Sequence, residues 1–457
     1  MKRSTTIAAP LLVLVMLAGA CGSGRGDSAE PDDARTSSTE TQADDTTFGD
    51  LPSPCGPGDA SGATDQGVTD TEIRIATADD AGFQTQPGLN HELTDATRAL
   101  VEWCDEQGGI NGRKVVLDYY DAKLFDATNA MSEACAKDFF IVGQLLALDE
   151  TAEPTRRDCG LPSAPNSTVS MFASNAPMMY AAAPNPADYV SIAGAALLAE
   201  EYPEEITKGA LLVANYPSAV INQAKAVPNM TEELGYEFLC RVEYNISGEP
   251  DWRPIVQRLK DCGAELVYFA GSPEPNLENI LGAAELLEFD PVWWTEPSSY
   301  VDNFADWNVD GLADRVYFGH TLALLEEADA NDAVADYQSA LAAIDGDQAG
   351  LAISSASAFL LWATAAKTCG SELTRECVLA EMAKVHSWTG GGLHPENDPG
   401  DNRQSGCGVL VKLTGTSFER VAPAEVDTYA CDDSWLAPSP ADVVAAANLD
   451  ADRIAQG

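Results

Sequence analysis

The chain has 457 residues and a formal net charge of −46, because 72 acidic side chains outnumber 26 Lys and Arg. Nucleic acid and anionic lipid headgroups are bound by cationic surfaces, so this composition argues against both as partners. With 45% hydrophobic residues the chain can bury a large core, and its length favours two lobes over one.

The N-terminus has the layout of a secretory signal peptide. Lys2 and Arg3 precede an uncharged apolar stretch that is too short to span a bilayer. Cys21 follows small residues, an arrangement that resembles the lipobox of bacterial lipoproteins. We therefore predict a signal peptide over residues 1–20, lipidation of Cys21 and anchoring on the outer face of the cell membrane. An ordinary secretory signal, with Cys21 unmodified, is the alternative.

Residues 21–66 are rich in Ser, Thr, Asp, Gly and Pro and contain few large apolar side chains. This composition predicts a disordered tether between the anchor and the folded part. No later apolar run is long enough to cross a membrane, so the lipid would be the only attachment to it.

From residue 71 onward, strand and helix patterns alternate. The predicted strands are 72–77, 114–120, 139–143, 160–164, 209–215, 237–243, 264–270 and 291–295. The predicted helices between them are 91–107, 126–138, 186–200, 219–234, 252–261 and 275–287. This rhythm is typical of an α/β fold with parallel sheets covered by helices on both faces. Helices dominate 331–385, a strand pair is expected at 407–413 and 417–421, and 436–457 reads as a flexible tail or a loose helix.

Ten cysteines remain besides Cys21, an even number that suits disulfides in an exported protein. Connectivity cannot be read from sequence alone, and pairing between neighbours along the chain is the simplest hypothesis. The resulting pairs are Cys55 with Cys104, Cys135 with Cys159, Cys240 with Cys262, Cys369 with Cys377, and Cys407 with Cys431. A metal cluster is the weaker alternative, because no C-x-x-C occurs and the four histidines are scattered along the sequence. We expect no metal and no cofactor.

Motifs of the common enzyme classes are missing from the sequence. It contains no G-x-S-x-G, G-x-x-x-x-G-K-[ST] or H-E-x-x-H pattern. Adjacent acids such as Asp79 and Asp80 arise by chance in so acidic a chain and belong on solvated turns. Trp293 and Trp294 end a predicted strand, where α/β folds place ligands, although core packing accounts for them equally well.

Two segments together resemble a known family. Gly67-Val68-Thr69-Asp70-Thr71-Glu72-Ile73-Arg74-Ile75, followed by Gly108-Gly109-Ile110-Asn111-Gly112-Arg113-Lys114, is similar to the branched-chain amino acid type of type I periplasmic binding proteins, the solute receptors of ABC importers. In the second segment the glycines end a helix with positive φ, and Asn-Gly turns the chain into a strand.

The resemblance implies two doubly wound parallel-sheet lobes that are joined by a three-strand hinge and close on a solute. Lobe 1 would comprise 67–183 and 321–392, and lobe 2 would comprise 184–320 and 393–435. The implied partners are a small solute and ABC permease subunits, and we expect a monomer.

The resemblance also implies the ligand positions. Asn166, Ser167 and Thr168 match the segment that holds a ligand carboxylate, although for either hydroxyl a plain helix cap is an equal alternative. Glu296 matches an acid that pairs with the ligand ammonium, and Phe83 matches an aromatic wall. Further candidates are Leu146, Ala147, Tyr216, Ser218 and Ser272.

Two loops depart from the family pattern. After Gly143, where serines or threonines are usual, the sequence reads Gln144-Leu145-Leu146-Ala147-Leu148. An aromatic residue usual near Ser218 is replaced by Tyr216 two positions earlier, and the loop at Ser272 lacks one. An apolar wall at 145–148 suits a larger or more apolar molecule than an amino acid.

Three functions follow from this pattern. The first is a receptor that delivers a small amino-acid-like or amphipathic solute to an ABC importer. The second is a ligand-sensing module of the same fold that signals through a partner. The third is an exported enzyme, for which the sequence offers no nucleophile–base pair.

Overall fold

Two β-sheets organise the computed structural model, which describes residues 46–271 and 273–446. The strands are β1 (Thr47–Phe48), β2 (Leu51–Pro52), β3 (Glu72–Asp79), β4 (Lys114–Asp121), β5 (Phe140–Val142), β6 (Ser163–Ala164), β7 (Tyr189–Ser191), β8 (Gly209–Ala214), β9 (Phe238–Tyr244), β10 (Leu266–Ala270), β11 (Val292–Thr295), β12 (Val316–His320), β13 (Cys407–Thr414), β14 (Ser417–Ala422), β15 (Ala430–Cys431) and β16 (Leu436–Pro438). The helices are α1 (His91–Glu106), α2 (Ala127–Lys137), α3 (Asp149–Cys159), α4 (Met171–Ser174), α5 (Ala193–Glu201), α6 (Pro217–Leu234), α7 (Arg253–Asp261), α8 (Glu278–Leu286), α9 (Asp302–Trp307), α10 (Asp332–Ala343), α11 (Ala352–Cys369), α12 (Arg375–Met382) and α13 (Ala441–Ala446).

The first sheet has the order β4-β3-β5-β6, and all its pairs are parallel. Helix α1 packs against both α10 and α11, while α2 packs against α3. Helix α11 is apolar around most of its circumference and buried along most of its length, which is typical of a helix enclosed by other elements. The strand order reverses between β3 and β5, which creates a switch point at their carboxyl ends.

The second sheet has the order β9-β8-β10-β11-β12-β13-β14. Its strands are parallel from β9 to β12, and β13 and β14 add antiparallel pairs at the other edge. The strand order reverses between β8 and β10, so this sheet has a switch point of the same kind. The α/β class with doubly wound parallel sheets is therefore confirmed, whereas the lobe boundaries stay a prediction.

The turn that carries the family resemblance has the conformation that its sequence predicts. Helix α1 ends before Gly108 and Gly109, which have φ values of 108° and 74°, and Asn111 and Gly112 also have positive φ. A Cβ on Gly109 would lie 2.0 Å from the carbonyl oxygen of Arg113. Glycine is therefore required at Gly109 both by its backbone conformation and by the close approach of the next strand.

All five disulfide pairs expected from neighbouring cysteines are present. Four of them close between 8 and 24 residues of chain, and Cys55–Cys104 closes 49. Along the described part of the chain, no helix combines the length and apolarity needed to cross a membrane.

The predicted tether is wrong for residues 46–66. Strands β1 and β2 pair with each other, Phe48 is fully buried against Trp103 of α1, and Cys55 is bonded to the same helix. The segment is also held by hydrogen bonds to other parts of the fold, among them Gly49 N–H to Asp336 and Gly56 N–H to the Gly109 carbonyl. Its composition alone predicts disorder. The expected signal peptide, Cys21 and the rest of the tether lie outside the described residues.

The predicted tail is wrong for residues 436–446. Strand β16 pairs antiparallel with β7, and α13 follows it. This pairing also explains why the predicted helix 186–200 begins only at Ala193, since 189–191 is a strand with a partner almost 250 residues away. Helix α3 was not predicted, because its sequence is highly polar and contains Pro154. The remainder of the expected tail, 447–457, lies outside the description.

Candidate functional site

A cavity of about 510 Å³ opens where the carboxyl ends of both sheets' strands meet. It is lined by the loops that follow β3, β5, β8, β10 and β11, which flank the two switch points. Open α/β sheets bind ligands at such points, and the volume lies in the usual range of small-molecule sites, roughly 300–1,000 Å³.

The first sheet contributes a largely apolar wall. Phe83 lines the cavity and makes an edge-to-face contact with Phe125, whose ring centroid lies 6.0 Å away. Leu145 and Ala147 also line it. Leu146, an expected ligand contact, instead packs into the core between the first sheet and α2. Because side chains alternate along an extended loop, the neighbours of Leu146 face the cavity and Leu146 does not.

The polar side chains of the expected carboxylate-binding turn, 166–168, bond mostly to other groups of the protein. Asn166 is fully buried, donates to the Leu351 carbonyl and the Ser355 hydroxyl, and does not line the cavity. Thr168 lines the cavity, but its hydroxyl pairs with that of Ser174 at 2.9 Å. Ser167 also lines the cavity. Asn166 is therefore a structural residue, while Ser167 and Thr168 stay candidate contacts.

The amides that follow this turn already hold a carboxylate of the protein. Asp149, at the start of α3, accepts hydrogen bonds from the backbone of Val169 at 2.7 Å and of Ser170 at 3.1 Å. Burial raises the pKa of Asp149 to about 7, against the opposing effect of these bonds. A ligand carboxylate therefore has to find other donors than these two amides.

Glu296 follows β11 and lines the cavity, as expected. Burial alone raises the pKa of its carboxyl to about 7. Burial raises the pKa of Tyr244 and of Tyr268, and the Glu296 carboxylate raises both further. Among the described residues no hydrogen bond or ion pair reaches the Glu296 carboxyl, so it can accept a ligand's donor.

The second sheet provides the remaining predicted contacts. Tyr216 lines the cavity, and its hydroxyl donates a hydrogen bond to the carbonyl of Ala147. This contact joins the loop after β8 to the loop after β5, so a loop of each sheet meets across the cavity. Ser272 and the side chain of Ser218 lie outside the described residues, and their roles stay predictions.

The cavity also extends along helix α6, beyond the loops on which the sequence prediction was based. Ala219, Asn222, Ala226 and Met230 line it from the helix. These residues recur every three or four positions and so share one face. The facing wall is formed by residues of α5 and of β10 to β12, namely Gly194, Ala195, Tyr268, Trp294 and Gly319. We call this part of the cavity the α6 chamber.

Lys225 and His320 are cavity residues that sequence reasoning missed. Burial lowers the pKa of Lys225 to about 8, although Asp188 opposes the shift, and its ammonium donates to the Pro186 carbonyl at 2.8 Å. Burial lowers the pKa of His320 to about 3, so its ring is neutral at pH 7. No local motif marks either residue, and only the helical spacing from Ala219 to Met230 hints that α6 faces a cavity.

Within the described part of the chain, two side-chain groups come close enough together to hold a metal ion: His91 with Asp95 and Asp347, and His386 with Asp398 and Asp401. His91 lines the cavity, and its ring nitrogens contact the Gly88 carbonyl at 2.6 Å and Asp347 at 2.7 Å. Burial would lower its pKa, but Glu92, Asp347 and the Gly88 carbonyl together raise it to about 9. A ring protonated on both nitrogens has no lone pair for a metal.

Together, two doubly wound sheets and a ligand-sized cavity between their switch points define a solute-binding protein. The chain belongs to the periplasmic binding protein family, whose profile matches residues 72–417. The protein is accordingly an extracytoplasmic solute receptor of the kind that serves ABC transporters. No curated protein sequence matches the chain.

Solved structures of the same fold bind different ligands. A fatty acid ABC transporter substrate-binding protein from Thermomonospora curvata has 13% identity and a TM-score of 0.64, over 81% of this chain and 94% of its own. A leucine-binding protein from Thermotoga maritima has 16% identity and a TM-score of 0.61, over 77% and 98%. A branched-chain amino acid transporter protein from Streptococcus pneumoniae, in complex with isoleucine, has 13% identity and a TM-score of 0.59, over 77% and 100%.

Proposed function

We propose that the protein captures an amphipathic solute with a cationic head in the cavity between the two sheets and delivers it to an ABC permease. The observation that carries the cationic head is Glu296, a cavity carboxyl without a partner among the described residues. A ligand ammonium would supply that partner through a charge-assisted hydrogen bond. The net charge of −46 also draws cations rather than anions towards the protein.

The apolar walls support an amphipathic molecule over a purely polar one. Phe83, Leu145 and Ala147 on one side and Tyr216 and Trp294 on the other surround the cavity with mostly apolar surface. Ligand sites commonly combine such walls with a few polar groups that fix orientation. Leucine, isoleucine and fatty acids, which are named for related structures, all carry an apolar part.

Mass spectrometry of the molecules released when the purified protein is denatured tests this proposal. We expect a compound with a basic nitrogen and an apolar portion, and transport of that compound by vesicles that contain the permease and this receptor. Release of a purely anionic compound would contradict the cationic head, and binding without any transport would favour the sensing role instead.

We also propose that a lipid on Cys21 holds the receptor at the membrane. Support comes from the small residues before Cys21 and from the exported location of the family. Cys21→Ser should move the protein from the membrane fraction to the soluble fraction, whereas Cys55→Ser, which alters another cysteine near the N-terminus, should leave it membrane-bound. Equal membrane association of all three proteins would contradict the anchor.

A further inference from the structure

The α6 chamber is longer than an amino acid requires. From Ala219 to Met230 its lining residues span eleven positions of one helix. At 1.5 Å per residue this corresponds to about 16 Å, the length of roughly five fully extended residues. A solute of leucine size would leave most of the chamber empty.

The chamber also reaches under the helices and over the face of the second sheet. Tyr268 lies two residues before the end of β10, and Trp294 lies one residue before the end of β11. At about 3.3 Å per strand residue, Tyr268 is roughly 7 Å inside the edge where ligands of open α/β sheets usually bind. The chamber therefore continues from the ordinary binding position into the layer between sheet and helix.

The walls of the chamber are mostly apolar. Ala219, Ala226 and Met230 face it from α6, and Ile192 and Ala195 face it from the other side. Its one cationic side chain among the described residues, Lys225, is already held by the Pro186 carbonyl. An apolar space of this kind favours an apolar occupant over water, because water there finds few hydrogen-bond partners.

We propose that the solute carries a long unbranched apolar tail, which lies along α6 inside the chamber while its head contacts Glu296. This inference rests on the proposed receptor function and assigns the ligand class as single-chain amphiphiles. Burial of each additional methylene then strengthens binding by about fourfold until the chamber is full, from about 0.8 kcal/mol per buried methylene.

Calorimetric titration with two homologous series tests the tail. The probes are butylamine, octylamine and dodecylamine, each compared with the carboxylate of equal chain length and with leucine. We expect affinity in the amine series to rise steeply with chain length, and dodecylamine to bind far more tightly than leucine. A rise in the carboxylate series alone would contradict the contact of the head with Glu296. Affinity that is independent of chain length in both series would overturn the proposal.

Ala226→Phe supplies a matched structural test, because its ring would enter the chamber midway along α6. It should weaken dodecylamine by about tenfold or more while changing butylamine little, since overpacking acts only on a tail that reaches this point. Ala224→Phe, the same change on a part of α6 that does not line the cavity, should leave both affinities unchanged. Equal effects of the two variants on dodecylamine would overturn the assignment.

Met230→Ala provides a second test of the tail in case the Ala226→Phe variant does not fold. Met230 lines the far end of the chamber, so its truncation should shift the tightest-binding chain to a longer one. An unchanged length preference would overturn the tail. If leucine binds tightly and chain length has no effect, the receptor function stands and the tail alone fails; if no probe binds, both proposals fail.

Discussion

Glu296 is a partly buried carboxyl without a hydrogen-bond or ion-pair partner among the described residues. Buried ionisable groups normally have such a partner. Its pKa of about 7 makes recognition of a cation dependent on pH. Below pH 7 the carboxyl is neutral and offers only a neutral hydrogen bond, and above pH 7 it offers a charge. Affinity for an alkylammonium probe should therefore rise as the pH increases from 6 to 8.

Glu296→Gln tests this charge directly. At pH 8 we expect the variant to bind an alkylammonium probe roughly a hundredfold more weakly, because the ammonium loses its buried counter-charge. The variant should also lose the pH dependence between 6 and 8. Titration of the same probe into both proteins at three pH values measures this, and identical pH profiles would contradict the role of Glu296.

The same residue makes a prediction about the stability of the ligand-free protein. Folding raises the pKa of Glu296 from its ordinary 4.5 to about 7, so between these pH values the folded state holds a proton that the unfolded state has released. The free energy of unfolding therefore falls as pH rises through this window, by about 3 kcal/mol in all. Glu296→Gln should be more stable than the parent at pH 8 by a similar amount and equally stable at pH 4. Urea denaturation at both pH values measures the difference, and a variant less stable at pH 8 would contradict it.

Asp149 has the opposite role, because its carboxylate supports structure. Asp149→Ala would leave the amides of Val169 and Ser170 without their acceptor and would remove an acid from the first turn of α3. At pH 5, where the folded protein keeps this carboxyl protonated and its oxygens still accept both amides, we expect a loss of about 1–3 kcal/mol in the free energy of unfolding. At pH 8 the loss should be smaller, because burial of the charge opposes these bonds. Glu150→Ala, in the same turn, is the control: its carboxylate accepts no backbone hydrogen bond from the described residues. Comparable losses in the two variants would show that the amide contacts contribute little.

At the scale of elements, the segment that precedes the first sheet is fastened to α1. Phe48 packs on Trp103 and Cys55 is bonded to Cys104, while Lys367 of α11 donates to the Ser53 carbonyl at 2.8 Å. The segment therefore connects two helices that cover the first sheet. Hydrogen bonds such as that from the Gly49 N–H to Asp336 at 2.8 Å add to this attachment, and the disulfide is its covalent part.

Removal of the Cys55–Cys104 disulfide should lower the free energy of unfolding strongly, because this bond closes a long stretch of chain. Chain-entropy arguments give about 4 kcal/mol for the separation of 49 residues and about 2.5 kcal/mol for the separation of 8 at Cys369–Cys377. We expect the double serine variant of Cys55 and Cys104 to lose more stability than that of Cys369 and Cys377. Urea denaturation of both variants gives the comparison, and the reverse order would contradict the entropic account.

Local patterns predicted the elements whose formation depends on local sequence. The β3–α1–β4 unit has alternating apolar strands, an amphipathic helix and a glycine turn, and its elements end within about two residues of the predicted bounds. Strand β7 could not be predicted this way, because its partner β16 lies far along the chain. Residues 46–66 were missed for a related reason, since the buried Phe48, the disulfide and the hydrogen bonds that hold them all involve residues far along the chain.

The residues of the candidate site likewise fall into those that the sequence predicted and those that depend on how distant elements pack. Phe83, Ala147 and Glu296 were predicted from the resemblance to the family, and they lie in loops after strands, where the fold places ligands. Met230 and Lys225 lie in the middle of a helix, and their exposure to a cavity depends on how α6 packs against the sheet. Asn166 was predicted as a ligand contact but lies buried outside the cavity lining, because a buried amide and a ligand-binding amide look alike in sequence.

At the scale of the whole molecule, the two sheets meet through loops around the cavity, and Tyr216 provides one direct link between them. Its hydroxyl donates to the carbonyl of Ala147, and the two residues follow strands of different sheets. If the receptor works by closure of two lobes on the solute, this bond should form in the closed state and slow the escape of the ligand. Its contribution should therefore appear in the dissociation rate.

Tyr216→Phe removes only the hydroxyl and keeps the aromatic wall. With a net contribution of about 1 kcal/mol from the hydrogen bond, dissociation should become roughly fivefold faster, while association changes little. Tyr202→Phe is the matched control, because it removes a hydroxyl that pairs with Tyr317 at 2.6 Å, and neither residue lines the cavity. Stopped-flow measurement with the ligand that the protein releases on denaturation separates the two rates. Closure through Tyr216 would be contradicted if both variants had the same dissociation rate, or if only association slowed, since a bond made after capture cannot limit entry.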